Sequence, residues 1–167
     1  MKYILETERL KLRQLEIDDT EFIVELVNTP GWLKFIGDRN IKTTEDAIRY
    51  LQNGPMKSYQ ENGFGLWLVE LKEDTKPIGM CGLLKRDWLE HPDIGFAFLP
   101  EFSGMGYAFE MALATVNYAK NKLELATLSA ITVPSNEKSI QLLEKISFVF
   151  VKTVSDPNNT ELLLYKN

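Results

Sequence analysis

One cysteine, Cys81, and one histidine, His91, are all that the 167 residues contain of either type. A lone cysteine excludes an intramolecular disulfide and a thiolate zinc site, and a lone histidine excludes metal sites built on a His pair or on three histidines. Any internal Ser-His or Cys-His triad would depend on His91. No segment approaches the run of about 18 apolar residues that a membrane-spanning helix needs. The opening stretch, charged by Glu6, Glu8 and Arg9, has no apolar run long enough for a signal-peptide core, so a cytoplasmic protein with no membrane partner is expected. A basic stripe is also missing: 19 Lys and Arg are scattered among 24 Asp and Glu, for a formal net charge of −5. Nucleic-acid affinity comes from cations that neutralise backbone phosphates, so DNA and RNA are not expected partners.

What is present fits an ordinary globular chain, 44% hydrophobic and 26% charged, read as a single domain over residues 1–167. Arg9–Leu15 alternates with Leu10 and Leu12 on one side, which predicts a strand. Asp18 and Glu21 form a capping box for a short helix with Phe22, Ile23, Leu26 and Val27 on its buried face. Residues 28–42, containing Pro30, Gly31 and Gly37, read as a loop carrying Trp32, Phe35 and Ile36, side chains that must pack on the core or on a substrate. Thr43 or Thr44 caps a second helix, interrupted near Gly54 and Pro55. Leu66–Leu71 and Pro77–Leu84 read as a hairpin across a polar turn. Asp93–Leu99 is uncharged on both faces after Asp93 and therefore reads as a central strand. A helix from about Gly104 to Asn121, a strand over Leu125–Thr132, a helix capped by Ser135 or Asn136, and a hairpin of Phe148–Val154 with Glu161–Tyr165 complete the chain. The order β-α-α-β-β-β-α-β-α-β-β predicts an α/β (α+β) fold, a central mixed sheet with helices on both faces.

Between the uncharged strand and the helix after it lies Leu99-Pro100-Glu101-Phe102-Ser103-Gly104-Met105-Gly106-Tyr107-Ala108. Glycines in such a turn permit backbone conformations closed to other residues and remove side chains that would stand between an anion and the amides. A helix start leaves its first N–H groups without partners, and these suit phosphate oxygens. Tight strand-to-helix turns also use glycine for geometry alone. No Lys-Ser or Lys-Thr follows Gly106, which excludes a phosphate loop of the nucleotide-hydrolase kind, and the three-glycine dinucleotide fingerprint is absent.

Three blocks in order carry a resemblance that covers essentially the whole chain. They are Glu6-Thr7-Glu8-Arg9-Leu10-Lys11-Leu12-Arg13, the stretch from Asp93 to Glu110, and Asn136-Glu137-Lys138-Ser139-Ile140-Gln141-Leu142-Leu143 running on to Phe148. In these the chain resembles the GNAT superfamily of N-acetyltransferases, and within it the ribosomal-protein-alanine acetyltransferase (RimJ/RimL-like) branch. The resemblance implies acetyl-CoA as cofactor and a strand that splays from its neighbour at its end, leaving backbone groups of Phe98 and Leu99 for the pantetheine arm. It places the pyrophosphate over the amides of Ser103, Gly104, Met105, Gly106, Tyr107 and Ala108, with the Asn136 side chain on the opposite wall. Asn136 equally suits the role of helix cap. Departures from the family pattern are Glu101 where the motif has Gln or Arg, Ser103 where the branch often has Trp, and Ser147 in place of a glycine before Phe148.

The implied reaction is direct transfer of an acetyl group to a primary amine, on a protein N-terminus or a small molecule. Aligning amine and thioester makes a bimolecular step effectively unimolecular, and a backbone N–H at Leu99 is a candidate donor to the developing oxyanion. Asp93 is the candidate general base, at a position where the branch often has Glu, against the alternative of an exposed carboxylate at a strand edge. His91 lies two residues away and is either on the same side or a surface residue. Ser139 matches a recurrent serine of the branch and is a candidate proton source for the leaving sulfur, since no tyrosine occurs between Tyr118 and Tyr165. Cys81, flanked by Met80 and Leu83, reads as an inert buried thiol. The rival readings are a non-catalytic acyl-CoA sensor on the same fold and an interaction protein whose aromatics line a homodimer interface.

Overall fold

The computed structural model describes residues 2–167. Eight strands are formed: β1 (Tyr3–Glu6), β2 (Leu10–Gln14), β3 (Leu66–Leu71), β4 (Pro77–Leu84), β5 (Asp93–Phe98), β6 (Ser129–Thr132), β7 (Val149–Ser155) and β8 (Glu161–Lys166). Six α-helices accompany them: α1 (Thr20–Val27), α2 (Pro30–Phe35), α3 (Thr44–Asn53), α4 (Pro55–Asn62), α5 (Tyr107–Lys122) and α6 (Glu137–Lys145). The strands make one sheet in the order β1-β2-β3-β4-β5-β6-β8-β7, in which, among the described residues, β5 and β6 are the only parallel neighbours.

Alternation along the strands sorts their side chains to two layers. Leu10, Leu12, Trp67 and Val69 face one side, where Met111, Ala112 and Ala119 of α5 and Leu143 of α6 cover them. Leu68 and Met80 face the other, under Ile23 and Leu26 of α1, Trp32 of α2 and Leu51 of α3. Burying each such Leu or Ile contributes about 1.5–3 kcal/mol, so the two layers together hold the sheet from both sides. At Gly82 the chain has no choice of residue, because a Cβ there would lie 2.1 Å from the carbonyl oxygen of Gly65.

The expected layout holds with five changes. The strand β1 was not expected; it pairs antiparallel with β2 and extends the sheet by one edge. Residues 28–42 are not wholly loop: Pro30 at the first helical position fixes φ for a short helix, and Trp32 turns inward at 7% exposure. The capping box expected from Asp18 and Glu21 forms instead between Glu16 and Asp19, around a 3-10 turn over Ile17–Asp19 that leads into α1, with the Asp19 carboxylate accepting from the Glu16 N–H at 2.7 Å. The helix expected from Gly104 begins at Tyr107 after a 3-10 turn over Pro100–Phe102, and the strand expected from Leu125 is confined to Ser129–Thr132. Gly104 and Gly106 both have positive φ (76° and 80°), so the right-handed helix starts only after Gly106.

Candidate active site

Two parallel strands that share a single pairing must part, and here they do so over a cleft. β5 meets β6 only at Asp93 and Ser129, beyond which the strands diverge. On its other edge β5 is fully paired with β4, Leu99 N–H donating to Ile78 O at 2.9 Å. Bonds alternate along an antiparallel strand, so the backbone groups of Leu99, Ala97 and Gly95 face β4, and those of Ile94, Phe96 and Phe98 face the gap. This corrects the expectation for Leu99. Its N–H is committed to Ile78 and its carbonyl accepts from Phe102 N–H at 3.0 Å, so neither faces a ligand, and Phe96 takes its place beside Phe98.

Along the gap runs a cleft of about 970 Å³, walled by β5 and β6, by Asn136 and Ser139 of α6, and by aromatic side chains that include Trp32, Tyr50 and Trp88. Asn136 caps α6 through its side-chain oxygen, which accepts from Ser139 N–H at 3.2 Å. Its amide nitrogen is left for a ligand, so cap and wall are compatible roles. At the far end of β5, Ser103, Gly104, Met105 and Gly106 are exposed, with Tyr107 and Ala108 half-buried behind them. The first backbone bond of α5 runs from Glu110 N–H to Gly106 O at 3.0 Å, so the amides of Tyr107, Ala108 and Phe109 precede the helical ladder and have no acceptor within it.

Asp93 is not an exposed edge carboxylate. It is 1% exposed at the root of the gap, with Arg86 Nε at 3.0 and 3.2 Å from its two oxygens. Burial pushes its carboxyl up to about 6 against the opposing pull of Arg86. Arg86 also lies with its guanidinium carbon 6.0 Å from the centre of the Trp88 ring. The residues preceding and following this pair in sequence explain its geometry: Leu84 pairs with Asp93 across β4 and β5, so a side chain two positions on folds back over the carboxylate.

Of the residues expected at the site, Asp93, Asn136 and Ser139 share the cleft; Phe98 and the turn 103–108, which lie beyond the stretch of β5 that walls it, are not part of its lining. His91 does not join them. It is outside the cleft lining and its Nε2 lies 3.7 Å from Glu90. Cys81 is fully buried against Thr115 at 3.4 Å, and burial pushes its thiol up to about 12, which makes it an inert thiol at neutral pH. Arg86 was missed from the sequence although the hairpin register alone brings it to Asp93; Tyr50 was missed because a tyrosine on a helix face gives no such signal.

A cofactor with a long amide-bearing arm and a diphosphate fits this arrangement. Free strand-edge groups of Phe96 and Phe98 match the amides, and acceptor-free helix amides match the phosphates. Comparison with known proteins agrees. The family model described as acetyltransferase (GNAT) domain matches residues 9–149. The N-acetyltransferase YoaA of Bacillus subtilis (strain 168) is 31% identical over 148 residues, covering 87% of this chain and 82% of that protein. An acetyltransferase from Agrobacterium tumefaciens superposes with a TM-score of 0.84 at 23% identity, covering 100% of this chain and 94% of that one. RimL, a ribosomal L7/L12 alpha-N-protein acetyltransferase solved in complex with coenzyme A, superposes with a TM-score of 0.85 at 13% identity over 99% of this chain and 97% of its own.

Proposed function

Since the chain belongs to the GNAT family of acetyltransferases, and is an acetyl-CoA-dependent acyltransferase acting on amines, we propose that its acceptor is a primary amine of the N-terminal type, on a protein or a small molecule. The observation that carries this reading is the buried Asp93 carboxylate, pushed up to about 6, at the root of the cleft. An N-terminal amine has a pKa near 8 and a lysine-type amine near 10.4, so at pH 7 about a tenth of the first and far less than a hundredth of the second is neutral. A carboxylate of this strength meets a proton-transfer gap of about 2 units with the first and more than 4 with the second.

Acetyl-CoA, when bound, supplies the thioester carbonyl that the amine attacks, with loss of the C–S bond. The residues of the chain that would hold it are the backbone edges of Phe96 and Phe98, the Asn136 amide, and the N–H groups over Ser103–Ala108. Asp93 takes the amine proton; at 1% exposure it does so through a water, with Arg86 fixing the orientation of its oxygens. The Ser139 hydroxyl donates to the departing sulfur. Trp32, Tyr50 and Trp88 line the acceptor half of the cleft, excluding bulk water from the amine.

Free thiol release tests the reading with acetyl-CoA and a panel of amino acids, short peptides with free N-termini, and alkyl diamines. Turnover is expected to be fastest with α-amines. Turnover confined to the alkyl diamines would overturn the acceptor assignment.

A further inference from the structure

Three contacts from one side chain converge on the turn that precedes α5 and on the first turn of that helix. Arg9, placed just ahead of β2, donates through Nη1 to Met105 O at 2.9 Å and through Nε to Glu110 Oε2 at 2.7 Å. Its guanidinium carbon lies 4.4 Å from the centre of the Tyr107 ring, and Nη2 would be 3.3 Å from a Cβ built on Gly106. Among the described residues Nη2 donates no hydrogen bond. The far side of the clamp is fixed too, since the Arg9 N–H and Thr7 Oγ1 both donate to Glu110 Oε1, at 2.9 and 2.7 Å.

Glu110 is the reason a cation is needed here. Burial raises its carboxyl, but the bonds from Thr7 and Arg9 outweigh that and hold it below the usual range, so it is an anion in the first turn of α5. An anion there competes with a phosphate for the same helix end. Arg9 is 43% exposed, and an ion pair so open to water contributes little to folding. Its place on the turn, by contrast, sets both the shape and the charge of the surface that the exposed amides present.

We infer that Arg9 is a positioning residue of the cofactor site: it holds the turn 103–106 through Met105 O and cancels the Glu110 charge, so that the mouth of α5 accepts a diphosphate. This rests on the reading that the diphosphate sits at that mouth. The cation for this turn comes from just ahead of β2 and not from the turn itself, which carries no charged residue and follows Glu101 of the 3-10 turn.

The test compares acetyl-CoA with S-acetylpantetheine, which carries the same thioester and no diphosphate. Loss of a charge-assisted contact is expected to raise the KM of Arg9→Gln for acetyl-CoA about tenfold or more, with kcat and the amine KM unchanged within about twofold. Its kcat/KM for S-acetylpantetheine should match that of the wild type, and adding Glu110→Gln should recover part of the loss. An equal loss with both thioesters, or no loss with either, overturns the inference, because a merely structural role would not distinguish them. A wild-type enzyme that itself uses the two thioesters equally well would instead overturn the diphosphate placement beneath it. Should Arg9→Gln fail to fold, Arg9→Lys keeps the charge but not the two-pronged hold, and is expected to give an intermediate, diphosphate-dependent loss.

Discussion

Arg86 Nε sits 3.0 Å from one carboxylate oxygen of Asp93 and 3.2 Å from the other, at the point where two parallel strands separate. The carboxylate is thereby oriented at a place that the sheet itself opens, and two opposing influences set its strength. Burial drives it upward and Arg86 draws it back, leaving it at about 6. A carboxylate so placed is largely ionised at neutral pH and, in the proposed role of base, would return its proton to water readily, as turnover requires.

The pH profile follows from that value. Asp93 must be ionised to accept a proton, so kcat/KM should fall as the pH drops through about 6. Asp93→Asn should remove this acid limb and lower kcat by about 10²–10⁴-fold, the usual contribution of a general base. Rates measured between pH 5 and 9 decide it; a limb that persists in Asp93→Asn belongs to another group.

Arg86→Met carries a prediction of opposite sign to a simple loss of activity. Because Arg86 lowers the Asp93 value that burial raises, removing it should move the acid limb upward, above about 6. The variant should lose most activity below neutrality and approach the wild type as the pH rises. A uniform loss at every pH would mean that Arg86 contacts the acceptor and does not tune the base.

Elements whose signals are local were legible in the sequence. Leu66–Leu71 and Pro77–Leu84 begin and end where their apolar runs do, and Thr43 caps α3 with its hydroxyl accepting from Asp46 N–H at 3.1 Å. The strand β1 escaped notice because three half-buried residues and one exposed residue have no periodicity to read, and α2 because Pro30 and Gly31 signal a turn as readily as a first helical turn. At the site, Asp93 and the glycine turn carried motif signals. The commitment of Leu99 to Ile78 did not, since it depends on which alternate residues of β5 face β4, and that phase is fixed only by the register. Arg86 follows from the register of β4 on β5, whereas Arg9 acts across the fold, on residues about 100 positions away that no spacing in the chain encodes.

Gly104 separates the proposed cofactor site from the fold. A Cβ there would meet no heavy atom within 4 Å, so the start of a side chain finds open space. A valine must adopt a φ of 76°, which strains an L-residue by about 1–2 kcal/mol, and its branched side chain would stand over the exposed amides. Gly104→Val is therefore expected to melt only a few degrees lower while its affinity for coenzyme A falls about tenfold or more through lost phosphate contacts. Calorimetric titration beside a thermal melt checks both halves. Unchanged affinity would place the diphosphate elsewhere.

Arg13 makes the contrasting case, a cation that serves the fold and not the site. It is 6% exposed, grips both oxygens of Asp19 at 2.9 Å through its two terminal nitrogens, and donates through Nε to Glu70 at 3.0 Å. These bonds tie β2 to β3 and to the turn that starts α1. Both carboxylates are themselves buried, at 8% and 3% exposure, and among the described residues no other cation pairs with them. Arg13→Met would leave two buried negative charges without a partner, which costs about 3–5 kcal/mol in comparable buried pairs. Arg13→Lys should cost less, keeping the charge while losing the forked grip on Asp19. Denaturant unfolding at pH 7 measures both, and a loss under about 1 kcal/mol for Arg13→Met would show that water reaches the carboxylates and that the network does not bear on stability.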